Sequence, residues 1–452
     1  MMKRECTFVF LIAFSFVSLG VQAEDTLAER FQNLPRLARG PDAVLRIDTL
    51  DTEAALAQVG QLAGMGFGGV LLTLTAADDT TWDKLASLAS RASELRLELG
   101  IQDFPLSAHE ALNVFDEKAF PQHTNKLLAN LQTRLGNHYA KVLTWLLMTS
   151  HPGTSPARPP DLDALFFTRT GFHLEPLLPA LDGQELEGNV SAAYVREQAA
   201  IITADAWRTR FAGQARDLVQ EAGLEAGIMA GELLVPPEEA ATYFMRPVLS
   251  GCSTSATERA ANKRIAKGAH AASRRNIMGR LPLERVQPLP VPTQFACKHE
   301  MDRLFMDGAT RLLLDPGATA WQDENLFTDA ETACLYARRW QFILQQSGPL
   351  ETPAIVWQTQ ETGAEMLAIV RETSREHIYC IVNDSPNAGS ITGLFHEKQN
   401  GASPEYWNPE TGEIIPLASA APIGDTQTSV RFFIEPYGAF FVVFKQAGGA
   451  GN

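Results

Sequence analysis

Short runs of consecutive apolar residues alternate along this chain with longer stretches whose apolar positions recur every three or four residues. AVLRID (Ala43–Asp48) precedes a helix-period stretch from Thr52 to Met65, and GGVLLTLT precedes one from Trp82 to Leu95. LELGIQD, VLTWLLMTS, EAGIMAGE, RPVLSGC, RRNIMGRL and ATRLLLD follow, most of them separated by helical stretches. Unbroken Val/Ile/Leu runs mark strands buried on both faces, and their alternation with helices predicts parallel βα units joined by right-handed crossovers. Eight such units before Gly348 predict an α/β fold, a (β/α)8 barrel of TIM type. The competing architecture is an open doubly wound sheet. No GxGxxG opens a helix after the first strand, and GMGFGG at Gly64–Gly69 precedes its strand, the wrong order for a phosphate loop.

Beyond Leu350 the period changes. AEMLAIVRE, EHIYCIVND, SVRFFIE and GAFFVVFK follow one another without helices, and turn sequences such as NDSPNAG and NPETG separate them. That is the pattern of a small antiparallel β-sandwich. At the other end, Lys3 and Arg4 precede an apolar run from Phe8 to Val17 that closes in Val21-Gln22-Ala23, the form of a cleavable secretory signal. The run is shorter than the roughly 20 residues a membrane span needs. The expected organisation is a signal at 1–23, a barrel at 24–350 and a β domain at 351–452. The mature chain is expected to be secreted or periplasmic, with no membrane attachment.

Composition narrows the partners. The formal net charge is −15, and loss of Lys3, Arg4 and Glu5 with the signal takes it to about −16. An acidic surface disfavours nucleic acid and anionic membranes. With 45% apolar residues the chain can bury a large core. Cys252, Cys297, Cys334 and Cys380 are irregularly spaced, with neither CxxC nor a disulfide framework; one or two bridges and buried free thiols are both compatible with them.

PEYWNPETGEI (Pro404 to Ile414) and FFIEPYGAFFVVF (Phe432 to Phe444) resemble the closing β domain of the α-L-rhamnosidase-type enzymes of glycoside hydrolase family 106. MGFGGVLL from Met65, GFHLEPLLPALDGQ from Gly171, the run from Tyr194 to Leu224, and YARRWQFILQQSGP from Tyr336 match in the same order. The resemblance covers most of residues 40 to 445. It implies a barrel with an appended β domain, inverting hydrolysis of a rhamnoside, and a calcium ion holding the sugar. The departures fall at the strand ends. In place of a tryptophan-rich first strand stands Leu45-Arg46-Ile47-Asp48. The acidic DSxE-like end of the fourth strand is replaced by Thr149-Ser150-His151-Pro152, the glutamate of the seventh by Arg280, and the histidine of the eighth by Asp315. Glu258 pairs with a family glutamate. Because the acidic fourth-strand motif is absent, no metal or other cofactor is predicted; calcium rests on the resemblance alone.

Barrel enzymes assemble their sites at strand C-termini, which places Asp48, Asp103, Glu232, Glu258 and Asp315 near the mouth together with His151, Arg246 and Arg280. An inverting glycosidase needs an acid and a base roughly 6.5–9.5 Å apart. Glu232 as acid with Glu258 as base is the first choice, and Asp103 or Asp315 can replace either. Asp48, His151, Arg246 and Arg280 are the substrate-binding candidates. Arg280, if it points inward, is expected to bind a uronate or sulfate or to pair with Glu232 or Glu258.

Each has a structural reading as well. Asp48 and Asp315 suit helix N-caps, and Glu258 suits a helix first turn. His151 suits a loop, Trp145 the core, and Trp321 and Trp357 either a sugar platform or interdomain packing. No GxSxG, HExxH or glycine-rich phosphate loop is present. Two functions follow: a divergent glycoside hydrolase with a rearranged carboxylate pair, or a non-catalytic carbohydrate-binding or structural relative. In both, activity on aryl α-L-rhamnosides is expected to be absent or very weak, and indifferent to chelators.

Overall fold

A computed structural model of the protein describes residues 26–35, 39–73, 78–102, 114–116, 118–139, 143–148, 158–184, 190–229, 246–252, 256–271, 276–287, 289, 297–317, 324–349, 355–358, 363–397 and 403–446. The sheet of the first part is a closed parallel barrel: β1 Asp42–Arg46, β2 Gly69–Thr73, β3 Glu98–Gln102, β4 Leu143–Met148, β5 Glu225–Met229, β6 Arg246–Ser250, β7 Met278–Pro282 and β8 Arg311–Asp315. Each strand pairs with the next in sequence, and Asp42 and Ala43 close the ring against Leu313 and Leu314. The predicted barrel and its strand order are therefore present.

Capping places the helices. Asp51 accepts the Ala54 N–H at 2.8 Å and starts α1 (Thr52–Met65), which Gly66 ends in the left-handed conformation (φ 94°). Asp78 caps α2 (Asp79–Leu95) in the same way through the Thr81 N–H. Lys84 of α2 donates to the carbonyls of Ile47 and Leu50 and fixes the turn after β1. Asp48 therefore is not the cap of α1; Asp51, three residues on, fills that role.

Side chains fill the barrel in layers. Val44, Leu71, Trp145, Val248, Met278 and Leu313 form a closed interior cluster. Trp145 is the large member, and β3 accommodates it with Gly100: a Cβ there would lie 2.5 Å from the indole Nε1 and 2.9 Å from Leu71 Cδ1. Below this layer Arg311, 2% exposed, donates to Asp42 at 2.7 Å and to Glu98 at 2.9 Å, and Arg39 also meets Glu98. A closed apolar layer over an ion-paired floor leaves the strand C-termini as the open end.

The second part contains two antiparallel sheets, in the orders β10-β13-β17-β16 and β15-β14-β18-β12-β11-β9, whose short strands are β9 Gly348–Pro349, β10 Val356–Trp357, β14 Glu405–Trp407, β15 Ile414–Pro416 and β16 Ala421–Ile423. Its long strands are β11 Met366–Glu372, β12 Glu376–Asn383, β13 Gly389–Phe395, β17 Gln427–Ile434 and β18 Ala439–Lys445. Strands β12 and β18 carry unbroken apolar runs, Ile378–Val382 and Ala439–Phe444, because both faces are covered there. Tyr379, Ile381, Phe440 and Val442 pack toward the other sheet, while Ile378, Cys380, Phe441 and Val443 join the core shared with the barrel helices. Trp407 of β14 (Glu405–Trp407) is 1% exposed and sits 5.0 Å from Phe31 of the N-terminal helix. Trp357 packs edge-on to Phe432 inside the sandwich rather than between the domains. Trp321 lies outside the described residues. Cys252, Cys297, Cys334 and Cys380 are free thiols.

Candidate active site

The mouth is built from inward positions near the ends of β1, β6, β7 and β8. Alternation puts Arg46 on the same side of β1 as Val44, and Asp315 on the same side of β8 as Leu313. Register sets Ser250 beside Arg280, and Pro282 beside Asp315. A cavity of about 310 Å³ opens there, lined by Arg46, Ser250, Gly251, Arg280, Pro282, Glu284, Arg285 and Asp315.

The geometry centres on Asp315. Arg280 donates to its Oδ2 from Nε at 3.1 Å and Nη2 at 2.6 Å, and the Gly317 N–H donates to its Oδ1 at 3.0 Å. Both oxygens thus act as acceptors, as a buried carboxylate requires. Glu284 lies against the same glycine: an added Cβ on Gly317, whose φ is +67°, would fall on the Glu284 carboxylate. The two carboxylates therefore lie within the few ångströms that one residue spans. Asn262 holds the β6 end in place, accepting the Ser250 N–H at 3.3 Å and donating to its carbonyl at 3.0 Å. Gly251 then turns against β7, its N–H on the Arg280 carbonyl at 2.8 Å. Next along, the Cys252 thiol is pushed up to about 12 by burial, with Glu300 adding to the shift, so it does not supply a thiolate nucleophile.

Of the candidates read from sequence, the structure brings Asp315 and Arg280 together in this cavity. The described partner of Arg280 is Asp315, a pairing the strand-end comparison did not anticipate. Asp48 lies on the exposed turn after β1 and does not line the cavity. Arg246 is the first residue of β6, and its side chain lies outside the described residues. Its run, RPVLSGC, enters the barrel with the arginine first. Glu258 falls in the first turn of α3 (Ala256–Ala271); its side chain, like Asp103, His151 and Glu232, lies outside the described residues. Asp315 accepts the Gly317 N–H at 3.0 Å. The sequence reading missed Glu284, Arg46 and Arg285. The period-two rule applied from Val44 reaches Arg46, and LPLER immediately follows β7.

The donor set is a poor fit to a divalent cation. Asp315 already accepts from Arg280 and Gly317, and three arginines line the cavity against two carboxylates. Among the described residues no three His, Cys, Asp or Glu side chains group as metal ligands. A larger cavity of about 870 Å³ lies among helices, between Leu162–Thr170 and Ala192–Glu221, and no barrel strand contributes to it.

Solved structures with this architecture exist. A rhamnosidase from Novosphingobium sp. PP1Y superposes with a TM-score of 0.56 over 74% of this chain at 14% identity. What is shared is the fold, a (β/α)8 barrel followed by a β-sandwich. A β-galactosidase from Bacillus circulans sp. alkalophilus matches over 90% of this chain and 99% of its own, with a TM-score of 0.55 at 8% identity. The match spans 48% of the Novosphingobium enzyme, about half its length. No family model matches the sequence, and no curated protein does. At these identities the likeness concerns the fold.

Proposed function

We propose that this protein is a secreted glycoside hydrolase related to the family 106 rhamnosidases, with its reaction centre moved onto Asp315 and Glu284. The observation that carries the reading is two carboxylates set against Gly317 in a cavity at the C-terminal end of a barrel. Asp315, accepting from Arg280 and Gly317, is the base that takes a proton from the attacking water. Glu284, on the exposed side, gives its proton to the leaving oxygen, so water adds across the glycosidic bond with no other reagent. Supporting the compartment are Lys3, Arg4 and the apolar run after them.

The test is product release from a panel of glycosides and polysaccharides by the wild type, Asp315→Asn and Glu284→Gln. Loss of a general acid or base costs on the order of 10²–10⁴ in rate. Both variants are expected to lose at least about 100-fold, and an active Asp315→Asn refutes the assignment. A second reading is a carbohydrate-binding relative without catalysis. The Arg280–Asp315 pair favours it, because the pair commits the carboxylate to a neighbour. Glycan binding without turnover by any panel member would establish that reading.

A further inference from the structure

We infer that the mouth recognises an anionic sugar, a ring carrying a carboxylate or sulfate, through Arg46 and Arg285. The inference rests on the mouth being a carbohydrate site, and it adds the substrate's charge. Among the described residues neither guanidinium has a hydrogen-bond or ion-pair partner, although both line the cavity. The third arginine differs: Arg280 is joined to Asp315 at 2.6 Å, with side chains only 18% and 6% exposed. That pair is locally neutral and leaves two outward cations against the single carboxylate of Glu284.

Placement argues for function rather than solubility. The chain carries a net charge of −15, so a cationic mouth runs against its overall composition. A concave patch of sign opposite to the rest of the surface concentrates its counter-ion and speeds encounter. Arginine suits the task because its planar fork binds carboxylate and sulfate oxygens in pairs. The positions are also rigid. Arg46 ends a strand whose following turn is tied by Lys84, and Arg285 ends the 3₁₀ turn Leu283–Arg285 directly after β7. A neutral sugar would use neither charge.

Titration calorimetry with the full chain tests this, using oligogalacturonate, its methyl ester and a sulfated galacto-oligosaccharide. The acid is expected to bind at least about tenfold tighter than the ester at low salt, with the gap narrowing as salt rises. Comparison of the uronate and sulfate arms identifies which anion the site takes. Arg46→Glu and Arg285→Glu are each expected to abolish the gap, with the thermal midpoint unchanged. Equal affinity for acid and ester together with no binding of the sulfated sugar overturns the proposal, as does an anion preference that survives both variants. Product release is measured on the same samples. Anion preference without turnover sustains this inference and removes the hydrolase reading; turnover without preference does the reverse.

Discussion

At the residue scale, the sharpest constraints are single contacts. Gly100 is glycine because the Trp145 indole occupies the space a Cβ would need. Gly100→Ala is expected to destabilise the barrel by about 1–3 kcal/mol, read as a lower urea midpoint with unchanged slope. Titrating groups under the sandwich give a second test. Burial pushes Asp302 up to about 6, although Lys298 at 3.3 Å and the Tyr336 hydroxyl pull the other way. Because its folded pKa is raised, this carboxyl supports folding at low pH and loses that contribution as pH rises through about 6. Burial lowers His270 and His299 to about 4, so their contribution is complete above 6.5 and is lost as pH falls toward 4. His299 Nε2 lies 3.3 Å from a carboxylate oxygen of Asp384. The opposing slopes partly cancel in the wild type. In Asp302→Asn the opposing slope of that carboxyl is removed, and stability is expected to climb more steeply from pH 4 to 6.5 than in the wild type. Urea midpoints at several pH values check it, and a shallower climb would contradict the account.

At the element scale, the sequence was legible wherever one period dominated. All eight barrel runs became strands, since residues such as Leu71, Leu99 and Leu312 are buried on every side. Strand β13, GSITGLF, was not apparent because glycine, serine and threonine give little apolar alternation, and β14, EYW, because three residues are too few to show a period. Three of the segments quoted for the resemblance, Tyr336–Pro349, Pro404–Ile414 and Phe432–Phe444, meet at the joint between barrel and sandwich. Arg339, from the helix Glu324–Gln346, donates to the carbonyls of Pro409, Glu410 and Thr411 at 3.1, 2.6 and 3.1 Å. Gly412, with φ +80°, leaves room for that guanidinium. Trp340 packs edge-on to Phe441 at 4.7 Å, and Lys298 reaches the Tyr437 carbonyl at 2.8 Å. The NPETG turn is therefore a socket for Arg339. Arg339→Met strands three carbonyls and is expected to cost about 2–4 kcal/mol. Limited proteolysis should then cut between the two parts; an unchanged midpoint and cleavage pattern would contradict that role.

At the scale of the whole molecule, the frame and its chemistry were legible to different degrees. Barrel and sandwich follow from periodicity, which every buried strand repeats. The site depends on which few side chains converge in space, and separation along the chain hides that. Asp315 and Arg280 were visible as strand ends, but their mutual bond was not, and Glu284 drew no notice in a short turn. The loop Thr149 to Ala157 lies outside the described residues, so its expected neutral character stands as a proposal. With Asp315 engaged by Arg280 and arginines around it, turnover of an aryl α-L-rhamnoside is expected to be absent or very weak, and unchanged by a calcium chelator. Robust chelator-sensitive turnover would show that a metal-dependent site operates in residues other than these.

The central claim is that sugars bind at the barrel mouth around Asp315. Its most direct test is a crystal structure of the Asp315→Asn protein soaked with an acidic oligosaccharide. The account predicts a sugar ring in the cavity within hydrogen-bonding distance of residue 315, its anionic group against Arg46 or Arg285. Density only in the helical cavity or on the sandwich, with the mouth empty, would contradict it.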